Sequence, residues 1–389
     1  MTPLSQSEKD ELVAQILHEL SMTPYCCQSL THLTSGTTNF VYRGILTQPL
    51  SHLPESNAIY SSVTTDTIII KHSTSFAAMN KDLPIDVSRC VIEETMLNAL
   101  SSFPYPTANV KVPHLLLFNR ETNTQVLQDI PGVTDLKTIL TSSTTSKSLS
   151  RPLATSIGND LGTWLRSFHS WISAPPQAAL RAEVGDNEPM RKLKYQITYD
   201  GFIGVLEQFP EVLGNNKVTL EKVKDMAAKE FGKTATDSQG EEWGLIHGDF
   251  WSGNVLLPST LTPSSQPTLH IVDWEFAQYG HRAYDIGQMI GDLYERFHFL
   301  DLNTALWVLE GFIAGYGAMS EEMAFRIAVH TGVQLITWVL RGPPLHMRPA
   351  WATRERTVGL LRLGMNLTLR GWERDRKWVE GGVGGLVSR

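Results

Sequence analysis

Apolar positions along the chain follow two regimes. Up to residue 130 they come mostly as short β-branched runs between turn residues. Leu30-Thr-His-Leu-Thr-Ser-Gly-Thr-Thr-Asn-Phe-Val-Tyr-Arg43 reads as strand, turn, strand with Gly36 at the tip. Thr67-Ile-Ile-Ile-Lys71 reads as a strand ending in a lysine, and residues 112 to 118 and 124 to 130 as two more. Two helical patterns interrupt these strands: Ser7 to Leu20, with Leu12, Val13, Ile16, Leu17 and Leu20 on one face, and Val87 to Leu100. Past the turn signal Pro131-Gly132 the spacing becomes helical, first over Asp135 to Leu140. Ser156 to Trp171 then places Leu161, Trp164, Leu165, Phe168 and Trp171 on one face, and further helices are expected over 190 to 232 and 284 to 370. Residues 47 to 66 and Thr141 to Pro152 are rich in Ser, Thr and Pro and read as loops, and the glycines of 381 to 389 as a flexible tail. The pattern predicts an α+β fold: a small, mostly antiparallel sheet with one key helix over 1–130, then a larger, mainly helical part over 131–380.

One strand-like stretch breaks the helical part, and it holds the candidate chemistry. Trp243 to Ile246, Val255 to Leu257 and Leu269 to Val272 are short apolar runs, with Pro258 to Pro267 as the loop joining the last two. Their polar residues sit at strand ends. Asp249 lies five positions before the amide of Asn254, and Asp273 follows the next strand, so a turn and a hairpin would gather all three. Phosphoryl transfer asks for such a set: a carboxylate to receive the acceptor hydroxyl's proton, and oxygen ligands for the magnesium on the nucleotide phosphates. The spacing H-x-D-x-x-x-x-N is that of the kinase catalytic loop, and Asp273 stands where the aspartate of D-F-G stands.

His247-Gly-Asp-Phe-Trp-Ser-Gly-Asn254 together with Val272-Asp-Trp-Glu-Phe276 resembles the aminoglycoside phosphotransferase and choline kinase superfamily, the small-molecule branch of the two-lobed kinase-like fold. The continuation through Gly287 looks most like the methylthioribose kinase group. The resemblance implies ATP and Mg2+ as cofactors and transfer of the γ-phosphate to a hydroxyl of a small metabolite. It makes Asp249 the catalytic base, or the group that orients the hydroxyl, and Asn254 and Asp273 the magnesium ligands. In the first lobe it puts the hairpin at Gly36 over the phosphates, Lys71 on the α- and β-phosphates and Glu93 as the partner of Lys71. Glu94 would face about 100° away on the same helix. Backbone groups at Gln128, Asp129 and Ile130 would form the hinge that meets adenine. His247 would hydrogen-bond backbone near Asp273, and Asp285 would brace the catalytic loop by accepting backbone N–H bonds. A protein kinase is disfavoured by the missing A-P-E and the short Asp273 to Asp285 interval. The competing reading is a non-catalytic nucleotide-binding pseudokinase, against which the intact Lys71, Asp249, Asn254 and Asp273 speak.

Some residues keep two readings. Trp251 and Trp274 either wall the acceptor site or pack beneath the loop. Glu275 either supports metal or water or points outward. Asp285, Asp292, Glu295 and Asp301 either form an acidic pocket for an amine-bearing acceptor or a solvated helix face. His169, on an apolar helix face, reads as structural.

Composition removes whole classes of partner. The 389 residues are 42% hydrophobic and 19% charged, enough for one large core or two lobes and without a disorder signature. A formal net charge of -7 and the lack of any basic stripe argue against nucleic acid. Cys26, Cys27 and Cys90 show no zinc spacing and fit a reducing compartment. No run approaches the roughly 18 apolar residues of a membrane span, so the expected location is the cytoplasm. Oligomeric state has no signature here.

Overall fold

The computed structural model describes residues 2–33, 36–50, 65–142, 149–235, 240, 242–262, 266–340, 347 and 350–377. The expected tail 381–389, most of the 47–66 loop, the centre of the Thr141 to Pro152 loop and part of the Pro258 to Pro267 loop lie outside these residues. The chain divides into two compact units, Met1–Ser102 with Val112–Pro131, and Phe103–Lys111 with Gly132–Arg389.

The first unit is built on a five-stranded antiparallel sheet in the order Cys27–His32, Phe40–Leu50, Thr65–His72, Thr124–Gln128, Leu115–Asn119. Its central strand is the β-branched run read from the sequence, with Ile68 and Ile70 fully buried on one face. That face meets Ile16 and Leu20 of the helix Gln6–Leu20, together with Phe40, Tyr42 and Val126. The helix starts at a reciprocal cap: the Ser5 hydroxyl accepts from the Glu8 N–H, and the Glu8 carboxylate accepts from the Ser5 N–H. A second helix, Arg89–Leu100, buries Arg89, Cys90, Glu93, Met96, Leu97 and Leu100, the spacing of a single helical face.

In the second unit a four-stranded sheet runs in the order Val110–Lys111, Leu269–Ile271, Val255–Pro258, Val133–Asp135. Its first strand explains why residues 103–111 belong here: Leu269 and His270 pair in parallel with Val110 and Lys111. Phe103 also packs edge-on against Trp164 and Trp171. A two-stranded antiparallel ribbon, Trp243–Ile246 with Gln278–His281, precedes and follows the candidate residues. No described helix is long and apolar enough to cross a membrane.

The helical core depends on one close approach. Arg151–Ser173 packs on Asn303–Tyr316 through Gly158 and Gly162 on one side and Gly311 and Gly315 on the other. A Cβ at Gly158 would lie 1.9 Å from the Val308 carbonyl oxygen, and one at Gly311 2.0 Å from that of Thr155. Both obstacles are backbone, so rotating a side chain cannot relieve them. Gly158→Ala is therefore expected to lower stability by about 3 kcal/mol, the upper end of overpacking costs, read as a drop in the urea midpoint at unchanged slope. A midpoint within error of wild type would mean that the helices part freely.

Candidate active site

The loop after Trp243–Ile246 turns at Gly248, whose φ of +79° suits glycine, and a Cβ there would stand 2.1 Å from the Phe276 carbonyl oxygen. Two backbone N–H groups exposed by this turn, those of His247 and Gly248, donate to Asp285 at 2.8 and 2.9 Å. Asp285 lies in the first turn of the helix Ala283–Leu300, where a carboxylate also meets the positive end of the helix dipole. His169 holds the same carboxylate at 3.1 Å with Nε2 and contacts the Tyr316 hydroxyl at 3.1 Å with Nδ1. Its place is thus within the brace, as the apolar helix face suggested.

His247 ties this turn to the next strand. Its Nδ1 accepts from the Asp249 N–H at 3.3 Å, which leaves Nε2 to donate to the Val272 carbonyl, one residue before Asp273, at 3.1 Å. Burial pushes its pKa down against the nearby Asp285 and Asp249 charges, so the ring is held neutral. Such a ring spaces two backbone segments, with its one N–H already donated to Val272.

Asp249 is the polar centre. One carboxylate oxygen accepts from Lys194 Nζ at 3.0 Å and Gln288 Nε2 at 2.7 Å; the other accepts from Asn254 Nδ2 at 3.1 Å and the Trp251 indole N–H at 3.2 Å. Burial pushes the carboxyl's pKa up, yet the Lys194 charge and the hydrogen bonds from Gln288 and Lys194 outweigh it and hold the group below the usual range. The group is an anion wherever the protein is folded at neutral pH.

Asn254 is turned by Asp249. Its Nδ2 donates both to the Asp249 carboxylate and, at 2.9 Å, to the Asp249 carbonyl, which aims the amide oxygen the other way. The Asn254 carbonyl also accepts from the Val272 N–H at 3.1 Å, linking the loop to the segment carrying Asp273. Asp273 has φ of 71°, in the left-handed region that aspartate tolerates better than most residues. It directly precedes the short helical turn Trp274–Phe276.

In the first unit Lys71 Nζ meets both oxygens of Glu93, at 2.9 and 2.7 Å, and both side chains are buried. Glu94 instead pairs with Arg120 at the surface. Gly36 lies in the turn before Phe40–Leu50, and its neighbours Thr34 and Ser35 are outside the described residues. At the expected hinge, the Gln128 N–H donates to the His114 carbonyl at 2.9 Å, and Asp129 is held by Arg43 at 2.7 and 3.1 Å. Ile130 is partly buried.

Several two-way readings resolve. Trp274 is fully buried among Trp164, Phe168 and His247, so it packs beneath the loop, whereas half-buried Trp251 sits on Asp249 with Lys137 5.4 Å from its ring centre. Glu275 is fully buried and does not point outward. The proposed acidic pocket is not assembled from Asp285, Asp292 and Asp301. Asp285 is committed to the brace, Asp292 accepts from the Ser252 N–H and pairs with Arg296, and Asp301 pairs with Arg356. Sequence reasoning missed Lys194 and Gln288. Lys194 comes from the helix Glu188–Tyr195, 55 positions before Asp249, and no spacing rule reaches that far.

Residues 106–325 match the phosphotransferase enzyme family (APH). Among curated proteins, the phosphotransferase FrzJ of Cladobotryum sp is 31% identical over 398 residues, covering 98% of this chain and 98% of that protein. The 4-hydroxytryptamine kinase of Psilocybe cubensis is 24% identical over 342 residues, 85% of each chain. Among solved structures, a choline/ethanolamine kinase family protein from Mesorhizobium loti aligns at TM-score 0.47 and 13% identity, covering 94% of this chain and 99% of that one. The family match takes in more than half the chain, including every strand-end residue from His247 to Asp273, and FrzJ is similar along nearly its whole length. The chain belongs to the phosphotransferase enzyme family.

Proposed function

We propose that the protein transfers the γ-phosphate of ATP, bound with Mg2+, to a hydroxyl of a small organic molecule. The observation that carries this reading is Asp249: a carboxylate kept ionised by Lys194, with one oxygen bound to the amide of Asn254. Asp249 accepts a hydrogen bond from the acceptor hydroxyl and takes its proton late, because its depressed pKa makes it a weak base but a firm anchor. The chemistry of the donor set fits magnesium. Asn254 turns an amide oxygen away from Asp249, Asp273 adds a carboxylate, and hard oxygens are what this ion selects. Magnesium, when bound, neutralises charge on the nucleotide phosphates. Lys71, fixed by Glu93, takes the α- and β-phosphates, and backbone at Gly36 covers them. Trp251 offers the acceptor a flat apolar face beside Asp249.

The 4-hydroxytryptamine kinases among the relatives make hydroxyindoles the first acceptors to try. Amino alcohols and aminoglycosides follow. A thermal melt comes before any of these. Mg-ATP at about 100 times its dissociation constant is expected to stabilise the fold by roughly 2.7 kcal/mol. Released ADP then identifies the acceptor. A melt unmoved by millimolar Mg-ATP would sink the proposal.

A further inference from the structure

We infer that Lys194 is a further catalytic residue: its ammonium contacts the phosphoryl group as it moves from nucleotide to acceptor. This rests on the reading of Asp249 as the group that holds the acceptor hydroxyl. The lysine is buried, with an exposure of 6%. Burying an ammonium is costly, and salt-bridge lysines that only decorate a surface are not found in such places. Here it is held by two acceptors, Asp249 at 3.0 Å and Gln288 Oε1 at 2.8 Å.

An ammonium has three donors. Among the described residues those two acceptors take two of them, while Nζ lies over the Phe276 ring at 5.8 Å, a cation–π contact at the edge of its range and too long to hold an N–H. One N–H is left beside the carboxylate that anchors the acceptor. The attacking oxygen, hydrogen-bonded to Asp249, lies about 3 Å from it, and phosphorus about 3 to 3.5 Å further on. The oxygens of the travelling group therefore come within reach of a cation that is one hydrogen bond from Asp249.

The support of Lys194 is rigid. Asn187, which precedes the helix Glu188–Tyr195, donates its side-chain amide to the carbonyls of Glu275 at 3.0 Å and Ala277 at 2.8 Å. It thereby ties this helix to the segment just beyond Asp273. About two turns on, the same helix delivers Lys194. A buried cation mounted on the backbone of the reacting segment is preorganised for charge that develops during transfer.

A bond forms between the acceptor oxygen and phosphorus while the bond from phosphorus to the β-phosphate oxygen breaks. The hydroxyl proton passes to Asp249. ADP leaves with the bonding pair, and Lys194 is shared between the carboxylate it is losing as a partner and the phosphoryl oxygens.

A double-mutant cycle separates contact with the phosphoryl group from mere support of Asp249. Wild type, Lys194→Met, Asp249→Asn and the double variant are compared for hydrolysis of γ-labelled Mg-ATP with water as acceptor, and for Mg-ATP affinity by calorimetry. Lys194→Met is expected to lower kcat by about 10²- to 10³-fold, as loss of one preorganised donor does, at nearly unchanged affinity. Lys194→Arg is expected to restore part of the rate. The double variant is expected to be about tenfold slower than Asp249→Asn alone. It has lost both charges, so its melting point also shows whether any loss is one of folding. An unimpaired Lys194→Met, or a double variant no slower than Asp249→Asn, overturns the inference. Failure of the phosphotransfer reading itself would appear earlier, as a wild type that binds no Mg-ATP, or that binds it and transfers label neither to water nor to any acceptor tried.

Discussion

Asp249→Asn is expected to lower acceptor phosphorylation by about 10²- to 10⁴-fold while changing Mg-ATP affinity little. The amide keeps the size of the carboxylate and can still accept through one oxygen, so the loop should retain its turn, which is held by Asp285 from another helix. What disappears is the anion proposed to anchor the acceptor hydroxyl and receive its proton. Lys194 is also left without its counter-charge, so some stability is lost, and a melt run beside the assay separates that loss from the kinetic one. A variant that phosphorylates at the wild-type rate would remove Asp249 from the mechanism.

The second large effect is expected at Asp273 and has a different signature. Asp273→Asn removes a formal negative charge at the position proposed to face the divalent ion, so both Mg-ATP affinity and turnover should fall, affinity by at least about tenfold. Asparagine tolerates the left-handed backbone that Asp273 adopts, so the local chain path should survive. Calorimetry with Mg-ATP and the phosphorylation rate, measured on both aspartate variants, check this division. Equal loss of nucleotide affinity in both would contradict the separate roles assigned to the two carboxylates.

The difference between what the sequence reveals and what it hides has a physical origin. Lys71 is legible because it closes a β-branched run between a turn and a helix, and Glu93 because its surroundings resemble the family's pattern; the structure pairs them at 2.7 Å. The brace at Asp285 and the His247 contact to Val272 span 37 and 25 positions, and they are legible only through the resemblance of the motif, not through any local pattern. Lys194 and Gln288 were illegible because their role exists only once two helices converge on Asp249, and a lysine or glutamine on a helix carries no local mark of that meeting. The same holds for residues 103–111, whose strand Val110–Lys111 is only two residues long and is defined by a partner more than a hundred positions away. Trp251 and Trp274 show the limit most simply: two tryptophans in adjacent motifs look alike in sequence, yet one is fully buried and the other donates to the central carboxylate.

The central claim is that phosphate goes from nucleotide to a small molecule, and the destination of the label tests it most directly. Protein, magnesium and γ-labelled ATP are incubated with a panel of hydroxyindoles, amino alcohols and aminoglycosides, and small molecules are separated from protein before counting. The account predicts label in a small organic phosphate ester, formed in step with ADP and lost with Asp249→Asn. Label found on protein alone, or ester formation that persists undiminished in Asp249→Asn, would contradict it.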